Sequence, residues 1–354
     1  MQHEVRFATF NLLNLALPGM RFYPDQEPYT QARYDAKVEW VAQQIDRLDA
    51  DVIGFQEVFS QAALKDVLAR TRHYQNAHVV GFDPIEVLDA ALLSGGTTDV
   101  APLTPSVALV SRLPLTGPIS NHTRLPHGLA VALPGANTSI TTFTRPILHV
   151  QVVAEGSGAA GPGRPAARTQ VIDVFVCHLK SKRPDFSSGV TIADTDSYQT
   201  GMAMLHSMIR RGAEALGLRY LISDQLRRQR LPLIVLGDFN DTAGAMTTQL
   251  VSGATSERRS SREGPTDRLF DSFRVQSRRR SPRGIGFSHI HDGAMETIDH
   301  VLVSDAFEPG SPAAIGEVME VIYLNDHLSL RLPEATDHGI VLARIMLFGS
   351  ASGN

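Results

Sequence analysis

Asp238, Asn240 and Asp241 place three oxygen-bearing side chains immediately after LPLIVLG, an apolar run that ends in a glycine. Carboxylates and amides crowded in this way bind a hard cation, orient a water molecule, or cap a turn by accepting backbone N–H groups. The cap is the ordinary outcome for one such motif alone. The arrangement recurs, however. RFATFNLLN delivers Asn11 at the end of an apolar run, ADVIGFQEVF delivers Glu57, and VIDVFVCHLKSK delivers His178, Lys180 and Lys182. In TIDHVLVS and TDHGIVLARI the order is inverted, with Asp299 and His300, and then Asp337 and His338, preceding the apolar residues.

Short apolar, β-prone runs read as inner strands. For all these polar sets to meet at one sheet edge, the last two strands must run antiparallel to the first four. Such an edge, where loops leave the strand ends, is where open α/β sheets bind ligands. Gly237, beside the acids, is expected to let the backbone approach a ligand closely.

Taken in order, the six motifs resemble those of the endonuclease/exonuclease/phosphatase superfamily, a likeness that runs from residue 5 to residue 346. In SRLPL, FTRPIL, HLKSK, GDFND, DGAMETIDHVLVS and TDHGIVL the chain is similar to the bacterial magnesium-dependent nucleases. The resemblance implies an α/β fold, specifically a four-layer α/β sandwich of two packed mixed β-sheets flanked by helices, in a single catalytic domain over residues 1–350. It also implies a phosphodiesterase dependent on Mg²⁺ or Mn²⁺. Glu57 would be the principal metal ligand, with Asn11 and Asp337 as further oxygen donors. Asp238 and Asn240 would orient the attacking water and the scissile phosphate, Asp238 also serving a second ion. His178 would donate to a phosphate oxygen. His338 would be the general base or the phosphate-binding imidazole, and Asp299 the carboxylate that fixes its tautomer. Arg145 resembles the arginine that precedes proline in the bacterial nucleases, where it would meet a phosphate; a surface arginine is the alternative. Taken singly, Asn11 also reads as a turn residue, Asp299 as a strand-start acid and His178 as a satisfied core histidine.

At 354 residues and 43% hydrophobic, the chain is long enough to bury a large core, and no linker separates its motifs. A net charge of −4 gives no global basic field, so a polyanion must be held locally. Residues 257 to 283 supply nine arginines against four acids, Arg278, Arg279 and Arg280 among them. With Lys180 and Lys182 they favour a nucleic-acid substrate; a solvated loop is the plainer reading of the arginines. A phosphoinositide, a sphingomyelin-like lipid or another small phosphate ester is the alternative substrate. Against it, the sequence has neither a P-A-W-x-D-R element nor a hydrophobic docking stretch. A scaffold without catalysis is the third reading, opposed by a chemically competent residue at every motif position. The single Cys177 excludes a disulfide within the chain and reads as a small buried hydrophobe. No Lys/Arg-rich start opens the chain, Asn11 and Asn14 interrupt its first apolar run, and no segment approaches the ~20 apolar residues of a membrane span. A cytoplasmic protein with no obligate protein partner is expected.

The elements behind the motifs are legible in part. Tyr34, Val38, Val41, Ile45 and Leu48 fall at helical spacing, with Trp40 as a core or packing residue. Residues 200–229 form an amphipathic helix expected to bury Met204, Met208, Ala215, Leu218 and Leu226. Residues 155 to 168 read as a flexible hairpin tip, and Asp185, Asp194 and Asp196 as acids of a solvated loop. SHIHDG places His289 and His291 on one face of a strand, an H-x-H pair without a third zinc ligand outside the main site. Relatives carry aromatic residues there and at His300.

Overall fold

The computed structural model describes residues 3–23, 26–84, 104–154, 169–186, 196–253, 266–277 and 286–348. Arg278, Arg279, Arg280, Asp194 and the 155–168 tip lie outside them. The first part of the chain forms β1 (His3–Leu15), α1 (Gln31–Leu48), β2 (Val52–Val58), α2 (Gln61–Arg70), β3 (His78–Gly81) and β4 (Ser106–Ser111). Then come β5 (Leu115–Arg124), β6 (Val131–Ala132), β7 (Ser139–Ile140), β8 (Thr142–Ala154), β9 (Gln170–His178), α3 (Ser197–Gln229) and β10 (Leu233–Asp238). The last part forms α4 (Met246–Ser252), β11 (Leu269–Asp271), α5 (Ser272–Val275), β12 (His289–His291), β13 (Ala294–Glu296) and β14 (Asp299–Ser304). It closes with β15 (Gly316–Leu324), α6 (Asp326–Leu330) and β16 (Ile340–Leu347).

Two mixed sheets of six strands result, ordered β15-β16-β1-β2-β4-β3 and β11-β14-β10-β9-β8-β5. Each strand near the middle is buried on both faces, which is why these runs are continuously apolar instead of alternating. Phe7, Val52, Val174, Leu236, Val301 and Ile345 meet between the sheets. The neighbouring residues Ala8, Phe10, Ile53 and Phe55 turn the other way, against Val38, Val41 and Ile45 of α1 and Leu64 of α2. Phe175, Val235 and Leu302 face outward from the second sheet onto Ala215, Leu218 and Ile222 of α3. The order is therefore helix, sheet, sheet, helix, as the resemblance implies.

The inversion of the last two motifs has the expected consequence. β1 and β2 are parallel, as are β9 and β10, while β16 runs antiparallel to β1 and β14 antiparallel to β10.

Two local expectations need correction. Met204 and Met208 are more than half exposed, because α3 turns Ala203, Ala213, Ala215 and Leu218 inward instead. Asp185 is not solvated: it is 8% exposed and accepts from Arg210 Nε at 3.0 Å, while Asp196 caps α3 through Tyr198 N. Gly237 lies close to the adjacent strand. A Cβ there would meet Cys177 Sγ and, at 2.5 Å, the Cys177 carbonyl oxygen. Gly237→Ala should accordingly destabilise the fold by about 1–3 kcal/mol, as overpacking does elsewhere. A thermal or urea melt equal to wild type would show that β9 and β10 have slack at this point.

Candidate active site

Asp238 ends β10, and the sheet register sets His178 of β9 on one side of it and Asp299 of β14 on the other. A carboxylate, an imidazole and a second carboxylate thus share one face of three adjacent strands. His178 Nε2 lies 3.4 Å from Asp238 Oδ2. Asn240 donates its backbone N–H to Asp238 Oδ1 at 2.7 Å and its amide to the Leu179 carbonyl at 2.9 Å, tying the ends of β10 and β9 together. Its φ of 52° is left-handed, a conformation asparagine tolerates better than most residues.

The other sheet closes over this row. Asn11 donates to Asp238 Oδ2 at 3.1 Å and reaches Glu57 Oε1 at 3.5 Å. Its carbonyl oxygen accepts from Leu13 N at 3.0 Å, so the amide presents its NH₂ to the carboxylates. The Glu57 carboxylate also accepts from Asn14 N at 3.0 Å. Leu13, Asn14 and Glu57 all have positive φ, and the β1–β2 register shifts beside them. Leu13 and Glu57, unlike asparagine, carry strain of about 1–3 kcal/mol each in that region, in the irregular segment that turns Glu57 toward Asn11.

His338 joins the two halves. Its Nδ1–H donates to Asp299 Oδ2 at 2.9 Å, and its Nε2 lies 3.9 Å from both Asp238 Oδ2 and Asp337 Oδ1. Thr336 Oγ1 accepts from His338 N and donates to the Asn11 carbonyl, fixing the loop before β16 against β1.

The two buried imidazoles differ in charge. Burial, with Arg145, His338 and Lys180 near, holds His178 well below the usual histidine range and therefore neutral. Burial also opposes protonation of His338, yet Asp299, Asp238 and Asp337 outweigh it and push its pKa well above normal. Asp238 is pushed up to about 7 by burial and by the Asp299 and Glu57 carboxylates, against the pull of His338 and Asn240 N–H. Asp299 Oδ1 is buried without a hydrogen-bond partner. Asp238, Asp299 and His338 bring ligand atoms within 4.8 Å of one another. Converging carboxylates, one with an unpartnered oxygen and one with a strained charge, are a hard-donor set that fits a divalent cation such as Mg²⁺ or Mn²⁺.

The remaining residues singled out in the sequence flank this row. Arg145 is 8% exposed and donates to the Leu179 carbonyl at 3.4 Å, with its Nε unpartnered. Burial, then Arg145, lowers Lys180 to about 8; its Nζ donates to the Arg183 carbonyl at 3.3 Å. Lys182 is half exposed, 3.5 Å from Asp241 Oδ1 and 3.6 Å from Glu296 Oε2. His300 points away from the cleft, because neighbours on a strand face opposite sides. It contacts Asp271 at 3.1 Å and the Asp241 carbonyl at 3.0 Å, and packs edge-on against Phe239. The His300 ring therefore lies outside the row of cleft side chains.

Some of the surroundings went unread in the sequence. Lys37 of α1 is buried and its pKa falls to about 8 through burial, with Glu57 and Asp337 pulling the other way. A lysine inside the apolar stripe of Tyr34, Val38 and Val41 was the available signal. Tyr23, near Glu57 and Arg145, gave none. Glu214 of α3 is buried and accepts from Thr144 N and Lys180 N at 2.8 Å, pinning the strands that carry Arg145 and His178.

The sequence pattern of the endonuclease/exonuclease/phosphatase family matches residues 8–338. The chain belongs to that family. No curated protein matches it significantly. Among solved structures, an endonuclease/exonuclease/phosphatase from Bacteroides vulgatus is similar with a TM-score of 0.55 at 13% identity, over 98% of this chain and 100% of that one. A mannosyl-6-phosphatase of Bacteroides thetaiotaomicron gives 0.51 at 15% identity, over 96% and 99%. The human Nocturnin catalytic domain with bound sulfate gives 0.50 at 17%, over 98% and 95%. At these identities the likeness is one of fold. Within the family fold, the chain brings Asn11, Glu57, His178, Asp238, Asn240, Asp299 and His338 into one connected network, with Asp337 at its edge.

Proposed function

We propose that this chain is a divalent-metal-dependent phosphodiesterase whose substrate is DNA or RNA, with residues 1–350 acting as one catalytic unit. The observation that carries the reading is the row His178, Asp238, Asp299 with His338 above it. His178 Nε2 stands 3.4 Å and His338 Nε2 3.9 Å from Asp238 Oδ2, with burial holding the first imidazole below the usual histidine range and the surrounding carboxylates holding the second above it. Glu57 and Asp337 would hold the metal, Mg²⁺ or Mn²⁺, with Asp238 available to a second ion. Asn11 adds its oxygen only if its amide turns over, since that oxygen here accepts from Leu13. The metal, when bound, neutralises phosphate charge and favours formation of the nucleophile and departure of the leaving oxygen. Asp238 and Asn240 orient the attacking water in line with the scissile bond. His178 donates to a phosphate oxygen as charge builds. With Nδ1–H donated to Asp299, the raised pKa keeps a second proton on His338 Nε2, which donates to a phosphate oxygen most strongly as charge builds in the transition state.

Arg145, Lys180 and Lys182 flank the site row, and the stretch that includes Arg278, Arg279 and Arg280 supplies local positive charge for a polyanion in a chain otherwise net acidic. The test is incubation of the purified chain and Mg²⁺ with plasmid, single-stranded DNA, RNA and bis-p-nitrophenyl phosphate. Cleavage of a nucleic acid is expected. Turnover of the small diester alone would move the substrate to a small phosphate ester. Replacing Arg278, Arg279 and Arg280 with serine should flatten the slope of log K for nucleic acid against log salt by about 0.7–0.9 per lost contact, and leave the small diester untouched. An unchanged slope would return that segment to a solvated loop.

A further inference from the structure

The hairpin of β12 and β13 carries imidazoles that the proposed hydrolysis does not use. His289 and His291 share a face, their rings stacked with centroids 6.1 Å apart and planes at 22°. The sequence offers this pair no third ligand, but the fold brings two to His289. His289 forms an isolated antiparallel bridge with His338, Gly339 N donates to the Ser288 carbonyl at 2.6 Å, and Ser288 Oγ accepts from Ile298 N and Asp299 N at 3.0 Å. The hairpin is thereby pinned over the cleft, with the rings of His289 and His338 5.1 Å apart. One ligand atom each from His289, Asp337 and His338 lie within 4.8 Å of one another. His338 Nδ1 is committed to Asp299, so the nitrogen that faces Asp337, at 3.9 Å, is Nε2, and an ion bound there takes the place of the proton that Nε2 otherwise carries.

We propose that His289, Asp337 and His338 form a binding site for a nitrogen-accepting divalent ion of the Zn²⁺ or Co²⁺ class, sharing Asp337 with the oxygen-donor site but chemically distinct from it. Two imidazoles and one carboxylate suit such ions, whereas Mg²⁺ demands oxygen and keeps its waters. Donors about 2.0–2.2 Å from a tetrahedral or octahedral ion stand about 3.0–3.6 Å apart, so the three must close by about 1 Å. Asp337, with a side chain 53% exposed, has the freedom to do so. The Asp299 carboxylate on the far nitrogen of His338 is the outer partner that metal-ligating histidines normally have; it sets the ring and its tautomer. His289 is the residue that makes the difference, since it adds the second imidazole.

An ion so placed occupies Asp337 and the phosphate-facing edge of His338, and would therefore inhibit hydrolysis. That consequence rests on the function proposed above; the binding site itself does not. The test uses EDTA-stripped full chain titrated with Co²⁺ and read by visible d–d absorption, which reports nitrogen ligation and low coordination number. Co²⁺ should bind, yield to Zn²⁺, and resist an excess of Mg²⁺. Both His289→Ala and His289→Phe, the latter keeping a ring against His338, should weaken binding by about 10-fold or more. Equal Co²⁺ affinity in wild type and both variants, or displacement by Mg²⁺, would overturn the site. Hydrolysis of bis-p-nitrophenyl phosphate separates the two readings. His289→Ala should keep Mg²⁺-supported turnover and lose its inhibition by Zn²⁺, whereas Glu57→Gln should lose turnover and keep the Co²⁺ absorption. Zn²⁺ inhibition equal in wild type and His289→Ala would also count against the site. Intact Co²⁺ binding in a wild-type protein that hydrolyses nothing would support the site and refute the phosphodiesterase.

Discussion

His338→Ala should lower kcat by about 10²–10⁴-fold with a smaller change in KM, because the lost group acts on charge that develops in the transition state. Asp299→Asn should cost less, about 10–100-fold, since it misorients the imidazole without deleting it. The pH profile adds a sign. Asp299 helps hold the pKa of His338 above the usual histidine value, so the protonated, donating form persists at neutral pH. Activity should fall as pH rises through that raised pKa, and in Asp299→Asn the same limb should move to lower pH. Unchanged turnover and an unmoved limb in Asp299→Asn, with His338→Ala crippled, would make Asp299 a structural acid only.

Glu57→Gln is the second large effect expected. The substitution keeps the shape and the acceptor for Asn14 N while removing the charge. Loss of an outer partner already costs a metal site about 10–100-fold, so loss of a principal ligand should cost more, read as a rise in the Mg²⁺ needed for half-maximal rate. Excess Mg²⁺ should recover part of the rate. Wild-type turnover at low Mg²⁺ would refute Glu57 as a ligand.

The polar side chains of the cleft were legible because each ends or begins an apolar run, and a strand exposes its terminal residues where its pairing stops. The inversion at Asp299 and His338 even gave the relative direction of β14 and β16. What the strand pattern could not give was the side of the sheet. Asp299 and His300 are adjacent, and only the register with Asp238 shows that Asp299 enters the cleft while His300 turns to Asp271. Helix faces misled for a similar reason. Met204 and Met208 lie on a plausible stripe of α3, but the stripe that packs is set by the small residues Ala203, Ala213 and Ala215. Lys37 and Glu214 went unread because each is a charge buried by contacts with distant segments. The H-x-H pair was visible, yet the companions of its first member, Asp337 and His338, arrive only through a backbone bridge 49 positions along the chain, between His289 and His338.

The most direct measurement is the rate of bis-p-nitrophenyl phosphate hydrolysis by EDTA-stripped protein before and after addition of Mg²⁺ or Mn²⁺, with plasmid and RNA cleavage followed in the same samples. The cleft described here predicts no turnover without the ion, recovery on adding it, and no such recovery at low ion concentration in Glu57→Gln. Full hydrolysis in EDTA, or none on any of these substrates with either ion, would contradict it.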